Sequence, residues 1–148
     1  MDGWIIMRRL SVVLIAVAAG LASAEAGVTE LKANKGGHFV TAADINGSAI
    51  TVLVDTGATM VALSYEDAGN AGLRPGSLDF NVPVSTANGM TQAARVKIDR
   101  ISIDGINVDD VEGMVLPEGA LNGTLLGMSF LSRLASFKIE DGVLYLKD

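Results

Sequence analysis

The chain has 148 residues, a length that suits one domain. It carries 11 Lys and Arg against 17 Asp and Glu, and this acidic balance is a poor basis for binding nucleic acid, because phosphate contacts need clustered basic residues. It contains no cysteine and one histidine, which excludes a disulfide framework, a thiol nucleophile and a zinc site with two histidines from one chain.

Residues 1–24 have the pattern of a secretory signal peptide. Arg8 and Arg9 precede a short apolar run, and the small residues Ala22-Ser23-Ala24 then form a typical cleavage site. Met7 is an alternative start to Met1. The apolar run is shorter than the roughly 20 residues of a bilayer-spanning helix, so a cleaved signal is favoured over the alternative, a membrane anchor formed by residues 4–24.

Either interpretation places the rest of the chain outside the cytoplasm. We therefore expect an exported protein, periplasmic or otherwise extracytoplasmic, with N-terminal membrane attachment as the alternative to cleavage. Residues 25–36 are expected to be a flexible lead-in, and residues 37–148 the folded domain.

The pattern of residues 37–148 predicts an all-β domain with one or two short helices. Two-residue turn motifs separate short strands, and we expect hairpins at Asn46-Gly47, Asn88-Gly89, Asp104-Gly105 and Asp141-Gly142. Regularly spaced strands with such turns are typical of a sandwich or barrel. The predicted strands are His38–Asp44, Ser48–Val54, Met60–Leu63, Phe80–Thr86, Met90–Ile98, Arg100–Ile103, Ile106–Val108, Leu121–Leu126, Phe137–Glu140 and Val143–Lys147.

Two short helices are expected between these strands. Ser64 has the character of a helix N-cap, with acidic residues in the first turn after it and Gly72 near the stop. The second helix is predicted over Met128–Leu134.

One constellation in the chain points to chemistry. Asp55 ends a predicted buried strand, where a carboxylate is costly unless it is hydrogen-bonded or functional. Thr56 adds a hydroxyl, and Gly57 allows a tight turn that brings backbone N–H groups close to the carboxylate. The bland alternative is a structural aspartate in a turn after a strand.

These residues resemble the catalytic loop of the retropepsin-type aspartic proteases. Leu125-Leu126-Gly127, about seventy residues after Asp55, is similar to an element of the same family, and the Asn88-Gly89 hairpin lies where the family has its flap. More narrowly, residues 37–39, 53–63 and 125–134 resemble a bacterial exported or membrane-associated subgroup. The resemblance covers residues 38–147 and implies a single-lobe acid-protease barrel that is active as a symmetric dimer.

The resemblance implies an aspartic endopeptidase with Asp55, Thr56 and Gly57 as its catalytic residues. Aspartic proteolysis uses two carboxylates around one water, and like charges about 3 Å apart share a proton rather than both ionise. Because this chain has one Asp-Thr-Gly, we expect a homodimer in which each protomer supplies Asp55. Thr56 is expected to hydrogen-bond across the dimer axis.

The expected partner is an extended peptide or protein substrate, held as an added strand. Asn88, Gly89 and Met90 are the candidate substrate-binding residues, with Gly89 giving the flap tip its backbone freedom. No cofactor and no metal are expected. The acidic stretch from Asp104 to Glu112 fails the calcium-loop spacing, and a solvated acidic edge is the simpler interpretation.

Two other functions compete with proteolysis. A non-catalytic β-barrel module could keep the fold for peptide binding or dimerisation, although a binding site gains nothing from a desolvated carboxylate pair. An Asp-Thr-Gly phosphate loop of the sugar-kinase type would need a longer, two-domain chain. Replacing Asp55 by Asn distinguishes a protease from a binding module.

Overall fold

A computed structural model describes residues 27–148 of the chain. The signal peptide or anchor proposed for residues 1–24 lies outside the described residues. The strands are β1 Val28–Lys32, β2 Val40–Ile45, β3 Ser48–Val54, β4 Val61–Leu63, β5 Val82–Thr86, β6 Gly89–Ile103, β7 Ile106–Val115, β8 Thr124–Leu126, β9 Ser136–Glu140 and β10 Val143–Lys147. The helices are α1 Tyr65–Asn70, α2 Met128–Leu131 and a 3₁₀ helix Pro75–Ser77.

Six strands close into a barrel in the order β2-β3-β8-β4-β7-β6. Closure comes from pairing of β2 with β6 at Asp44 with Ser102 and at Ile45 with Ile101. Two of the pairings, β3 with β8 and β4 with β7, are parallel, so chain segments far apart in sequence lie side by side. β5 extends this sheet beyond β6, and β1, β10 and β9 form a second antiparallel sheet.

The core of the barrel is aliphatic. Along β6 and β7, Ile98, Ile101, Ile103, Ile106 and Val111 are fully buried, and such β-branched side chains pack well on a pleated sheet. Each buried side chain of this size contributes about 1.5–3 kcal/mol relative to an exposed one. The all-β class with two short helices is therefore confirmed.

Three of the four predicted turns are confirmed, and one is displaced. Asn46-Gly47, Asp104-Gly105 and Asp141-Gly142 are two-residue hairpin loops whose residues all have positive φ. The prediction at Asn88-Gly89 is wrong by one residue, because Gly89 pairs with Thr86 and the loop is Ala87-Asn88.

The displaced turn has a side-chain cause. The Thr86 hydroxyl accepts the Asn88 N–H at 3.1 Å and donates to the Gly89 carbonyl at 2.8 Å. Such a local hydroxyl bond to the backbone builds a turn by itself. The Asn-Gly motif predicts the turn from its glycine, whereas the hydroxyl of Thr86, three residues before Gly89, sets the loop.

Several strand bounds also differ from prediction. The two runs expected over residues 90–98 and 100–103 form one continuous strand, β6, because Arg100 pairs with Asp109 in the middle of the ladder. β7 extends to Val115 rather than ending at Val108. The acidic residues of β7 are exposed, in agreement with the expected solvated edge.

The expectation of a flexible lead-in over residues 25–36 is wrong for residues 28–32. These residues form β1, which pairs antiparallel with β10 over five positions. Thr29 and Leu144 are buried in this second sheet. The alternating pattern of Val-Thr-Glu-Leu-Lys is too short to predict a strand by itself. The strand forms because it pairs with β10, which lies more than a hundred residues away in the sequence.

The helices confirm the predicted caps and positions. The Ser64 side chain accepts the Asp67 N–H at 3.1 Å and caps α1. The second predicted helix is present but ends at Leu131 rather than Leu134. Within residues 27–148, no helix is long and apolar enough to cross a bilayer.

Candidate active site

Asp55 stands at the end of β3, where the chain leaves the barrel and turns toward β4. Its backbone N–H donates to the Leu126 carbonyl at 3.1 Å, and the Val54 N–H donates to the Phe39 carbonyl at 2.9 Å. The backbone that carries the carboxylate is therefore hydrogen-bonded on both sides, to Leu126 on one and to Phe39 on the other.

The loop also holds the carboxylate itself. The Gly57 N–H donates to Asp55 Oδ1 at 2.9 Å, and the Ala58 N–H donates to the Asp55 carbonyl at 3.1 Å. A Cβ at position 57 would lie 3.2 Å from that same oxygen, so glycine permits the close approach. Within the described residues, the bond from Gly57 is the hydrogen bond that the Asp55 carboxylate accepts.

Thr56 is exposed on the loop and does not line the neighbouring cleft. Its expected bond across a dimer axis involves a second protomer, so that role stays a prediction. Asp55 and Gly57, by contrast, both line the cleft.

Gly127 packs directly against the backbone of the loop that carries Asp55. A Cβ at this position would lie 2.3 Å from the Met60 carbonyl oxygen and 2.6 Å from the Ala58 carbonyl oxygen. The Met128 N–H also donates to the Ala58 carbonyl at 2.8 Å. The glycine of Leu125-Leu126-Gly127 is thus required because two segments of backbone touch there.

A cleft of about 550 Å³ opens above Asp55. Its floor and walls are largely apolar, and among the described lining residues Asp55 is the one charged side chain. The lining residues come from three places, the loop after β3, one arm of the hairpin and the barrel, and they are Asp55, Gly57, Ala58, Thr59, Met60, Ala62, Val84, Ser85, Thr86, Ala87, Met114, Leu116, Leu121 and Leu125.

The predicted substrate-binding residues lie beside this cleft rather than on its wall. The hairpin contributes residues 84–87 of its β5 arm and loop, whereas Asn88, Gly89 and Met90 are exposed at the tip. Met90 is 70% exposed. Contact of Asn88, Gly89 and Met90 with a substrate depends on a bound peptide and on closure of the hairpin, so it stays a prediction.

Sequence reasoning missed two hydroxyls that bind the backbone at the two ends of β4. Ser129 accepts the Val61 N–H at 2.9 Å, and Thr124 accepts the Ser64 N–H at 3.3 Å. Each bond joins residues 60 or more positions apart, so no local pattern reveals it. The signal in the sequence was their position, since the two flank Leu125-Leu126-Gly127.

Among residues 27–148, no three acidic or histidine side chains are grouped so as to hold a metal ion.

Comparison with known proteins agrees with this geometry. The family described as "gag-polyprotein putative aspartyl protease" matches residues 41–133, which include Asp55-Thr56-Gly57, the hairpin and α2. A curated relative, an uncharacterized protein from the region 5′ of cobV in Sinorhizobium sp, is 47% identical over 112 residues, covering 76% of this chain and 48% of that protein. The chain spans about half the length of the curated relatives it matches.

Two solved structures share the fold. The crystal structure of a retropepsin-like aspartic protease from Rickettsia conorii is 35% identical, with a TM-score of 0.74, and the match covers 81% of this chain and 89% of that one. EIAV protease, complexed with the inhibitor HBY-793, is 20% identical, with a TM-score of 0.57, over 70% of this chain and 93% of that one. The second similarity is one of fold alone.

Proposed function

This chain belongs to the retropepsin-like aspartic proteases, and from that premise we propose that it is an aspartic endopeptidase acting as a symmetric homodimer. Asp55 of each protomer would form the catalytic pair. The observation that carries the proposal is a single carboxylate, fixed by Gly57, on the floor of an apolar cleft.

The need for a second copy follows from the chemistry. Peptide hydrolysis by aspartates takes two carboxylates, one to remove a proton from water and one to donate a proton to the substrate. The described cleft supplies one acidic residue. A two-fold axis beside Asp55 would bring its copy from the second protomer to the same water.

The proposed reaction proceeds by direct attack of water. One Asp55 carboxylate accepts a proton from the water, and the water oxygen bonds to the carbonyl carbon of the peptide. The other Asp55, protonated, donates its proton to the carbonyl oxygen, and a tetrahedral intermediate results. Its collapse breaks the C–N bond as the amide nitrogen takes up a proton from the pair.

The substrate in this proposal is an extended peptide lying between the loop and the hairpin. Main-chain bonds would hold it as an added strand, with its apolar side chains against the walls. Asn88, Gly89 and Met90 would move with the tip as the hairpin closes, while Thr86 and Ala87 touch the substrate from above. Thr56 would join the two loops across the axis.

We also propose that the domain works outside the cytoplasm. The proposal rests on the charged, apolar and small-residue order of residues 8–24. N-terminal sequencing of the protein recovered from its native host tests it. A chain beginning at residue 25 in an extracytoplasmic fraction supports export, and an uncleaved cytoplasmic chain contradicts it.

A peptide-library digestion tests the proposed activity. The full chain is incubated from acid to neutral pH beside Asp55→Asn, with and without a statine-type transition-state mimic. We expect cleavage that is lost in the variant, blocked by the mimic and bell-shaped in pH, because two coupled carboxyls share one proton. Folded wild-type dimer that binds peptides without cutting them would instead indicate a binding module.

A further inference from the structure

The strand that leaves the catalytic loop is held at both ends by side-chain hydroxyls. β4 is three residues long. At its start, the Val61 N–H donates to Ser129 Oγ at 2.9 Å, and just after its end the Ser64 N–H donates to Thr124 Oγ1 at 3.3 Å. The two hydroxyls lie on either side of Leu125-Leu126-Gly127. The segment that packs against the loop through Gly127 therefore also binds the two ends of β4.

The Ser129 hydroxyl is tied on its other side to a fixed frame. It donates to the Glu112 carbonyl of β7 at 2.6 Å. The Arg133 guanidinium, one turn further on, donates to the Asp109 and Asp110 carbonyls of the same strand at 3.0 and 3.1 Å. The segment carrying Ser129 is thereby anchored to β7 at several carbonyls.

The hydrogen bonds at the two ends of β4 differ in how near they lie to the loop that carries Asp55. Val61 directly follows the loop of residues 55–60 and is fully buried, and its N–H has the Ser129 hydroxyl as its acceptor. Ser64 lies beyond a strand that is already paired with β7 and, at Ala62, with β8. The three paired residues of β4 separate Ser64 from the loop, whereas Val61 adjoins it, so we expect a change at Ser64 to alter the placement of Asp55 less than a change at Val61 does.

We propose that Ser129 is a positioning residue for the catalytic loop, which its hydroxyl keeps in register with β7 through the Val61 N–H, and that Thr124 is its structural counterpart without that role. Ser129 touches neither the substrate nor Asp55 in this arrangement. It acts through Val61, so its effect is on the placement of the Asp55 carboxylate. The inference rests on the proposed proteolytic function.

The test compares four variants of the full chain: Ser129→Ala, Ser129→Thr, Thr124→Ala and Thr124→Ser. We expect Ser129→Ala to lower kcat about 10- to 100-fold with KM changed less than about twofold, because small misplacements of a reacting group cost this much. Ser129→Thr, which keeps the hydroxyl, should recover kcat to within about fivefold of wild type. For Thr124→Ala, kcat per folded molecule should stay within about twofold of the values for wild type and for Thr124→Ser.

Equal loss of kcat in Ser129→Ala and Thr124→Ala, or no recovery in Ser129→Thr, would overturn the assignment. Amide hydrogen exchange provides a second readout that does not depend on activity. We expect exchange of Val61 and the preceding loop to be at least about tenfold faster in Ser129→Ala and unchanged in Thr124→Ala. Unchanged exchange at Val61 in Ser129→Ala overturns the inference, whereas a wild-type chain that fails to cut peptides overturns only the proposed function.

Discussion

The two sides of the cleft differ in how firmly the fold holds them. On one side is the loop junction, residues 55–61 together with 126–129, where Leu126, Met128 and Ser129 bond to Asp55, Ala58 and Val61 respectively. On the other is the hairpin tip, residues 86–90, where the bonds beyond the strand ladder are those that Thr86 makes to its own turn. The backbone that carries the Asp55 carboxylate is thus bonded to neighbouring elements, whereas the side-chain bonds of the tip are local to its own turn.

The difference matches what each side would do in catalysis. A reacting carboxylate needs a position defined to a fraction of an ångström. A flap must open to admit a peptide and close to exclude water. Substitutions in the loop junction should therefore change stability and kcat, whereas substitutions at the hairpin tip should change substrate affinity.

The largest effect is expected at the backbone contact under the loop. Gly127→Ala should lower the free energy of unfolding by about 4 kcal/mol or more, because its Cβ would overlap the Met60 and Ala58 carbonyls. Gly123→Ala, in the same segment, meets nothing within 4 Å and is the matched control. Urea denaturation followed by circular dichroism measures both. Equal stability of the two variants would show that the contact is not tight.

Neighbouring leucines in β8 should divide stability from binding. Leu126 is fully buried in the core, and Leu126→Ala should lower the free energy of unfolding by about 3 kcal/mol. Leu125 lines the cleft and is only half-buried, so Leu125→Ala should cost less stability and weaken binding of a peptide or transition-state mimic instead. Denaturation and calorimetric titration test the pair. Reversed effects would mean that the register of β8 is wrong.

At the hairpin tip, the effect on stability should be small and the effect on binding clear. Thr86→Val removes both hydroxyl bonds of the turn and should cost about 1 kcal/mol or less, because the turn is exposed and water replaces them. KM should rise while kcat changes little. Thr91→Val, the same change further along the hairpin, serves as the control. A fall in kcat without a rise in KM would place the tip among the rigid parts of the site.

The smallest effect is expected at an exposed ion pair, Arg100 with Asp109, which belongs to neither side of the cleft. The Arg100 Nε donates to Asp109 Oδ1 at 2.6 Å, and this hydrogen bond holds the pKa of Asp109 below its ordinary value. The pair therefore adds stability above the ordinary pKa of an aspartate and loses that contribution as pH falls through the lowered pKa. Both side chains are more than half exposed, so salt should screen the contribution.

Carboxyl-carbon NMR titration measures this pKa directly. In Arg100→Gln the pKa of Asp109 should rise toward the ordinary value, and added salt should narrow the difference from wild type. A pKa of Asp109 that does not respond to the substitution would mean that Arg100 is not its partner in solution.

What the sequence could predict follows from the range of the interactions involved. The Asp55-Thr56-Gly57 loop, the Ser64 cap and three of the four hairpin loops depend on residues within a few positions of one another, and all are present as expected. Their turn and cap chemistry is encoded locally.

The features that could not be predicted depend on distant partners. β1 forms because β10 lies beside it, and the roles of Ser129 and Thr124 appear only when β4 and β8 meet. The residues of the hairpin that line the cleft are likewise known only once β5 and β6 are paired, and their turn lies one residue earlier than the Asn-Gly motif indicates. Local patterns thus predicted the acid and its loop but not the frame that holds them.

The most direct test of the central claim is activity in mixtures of wild-type and Asp55→Asn protomers. Total protein is held constant and the chains are allowed to exchange before peptide cleavage is measured. If each protomer supplies half of the catalytic pair, activity falls with the square of the wild-type fraction, and an equal mixture keeps about one quarter of the activity. An equal mixture that keeps about half would show that each protomer acts alone, and would contradict the shared Asp55 site.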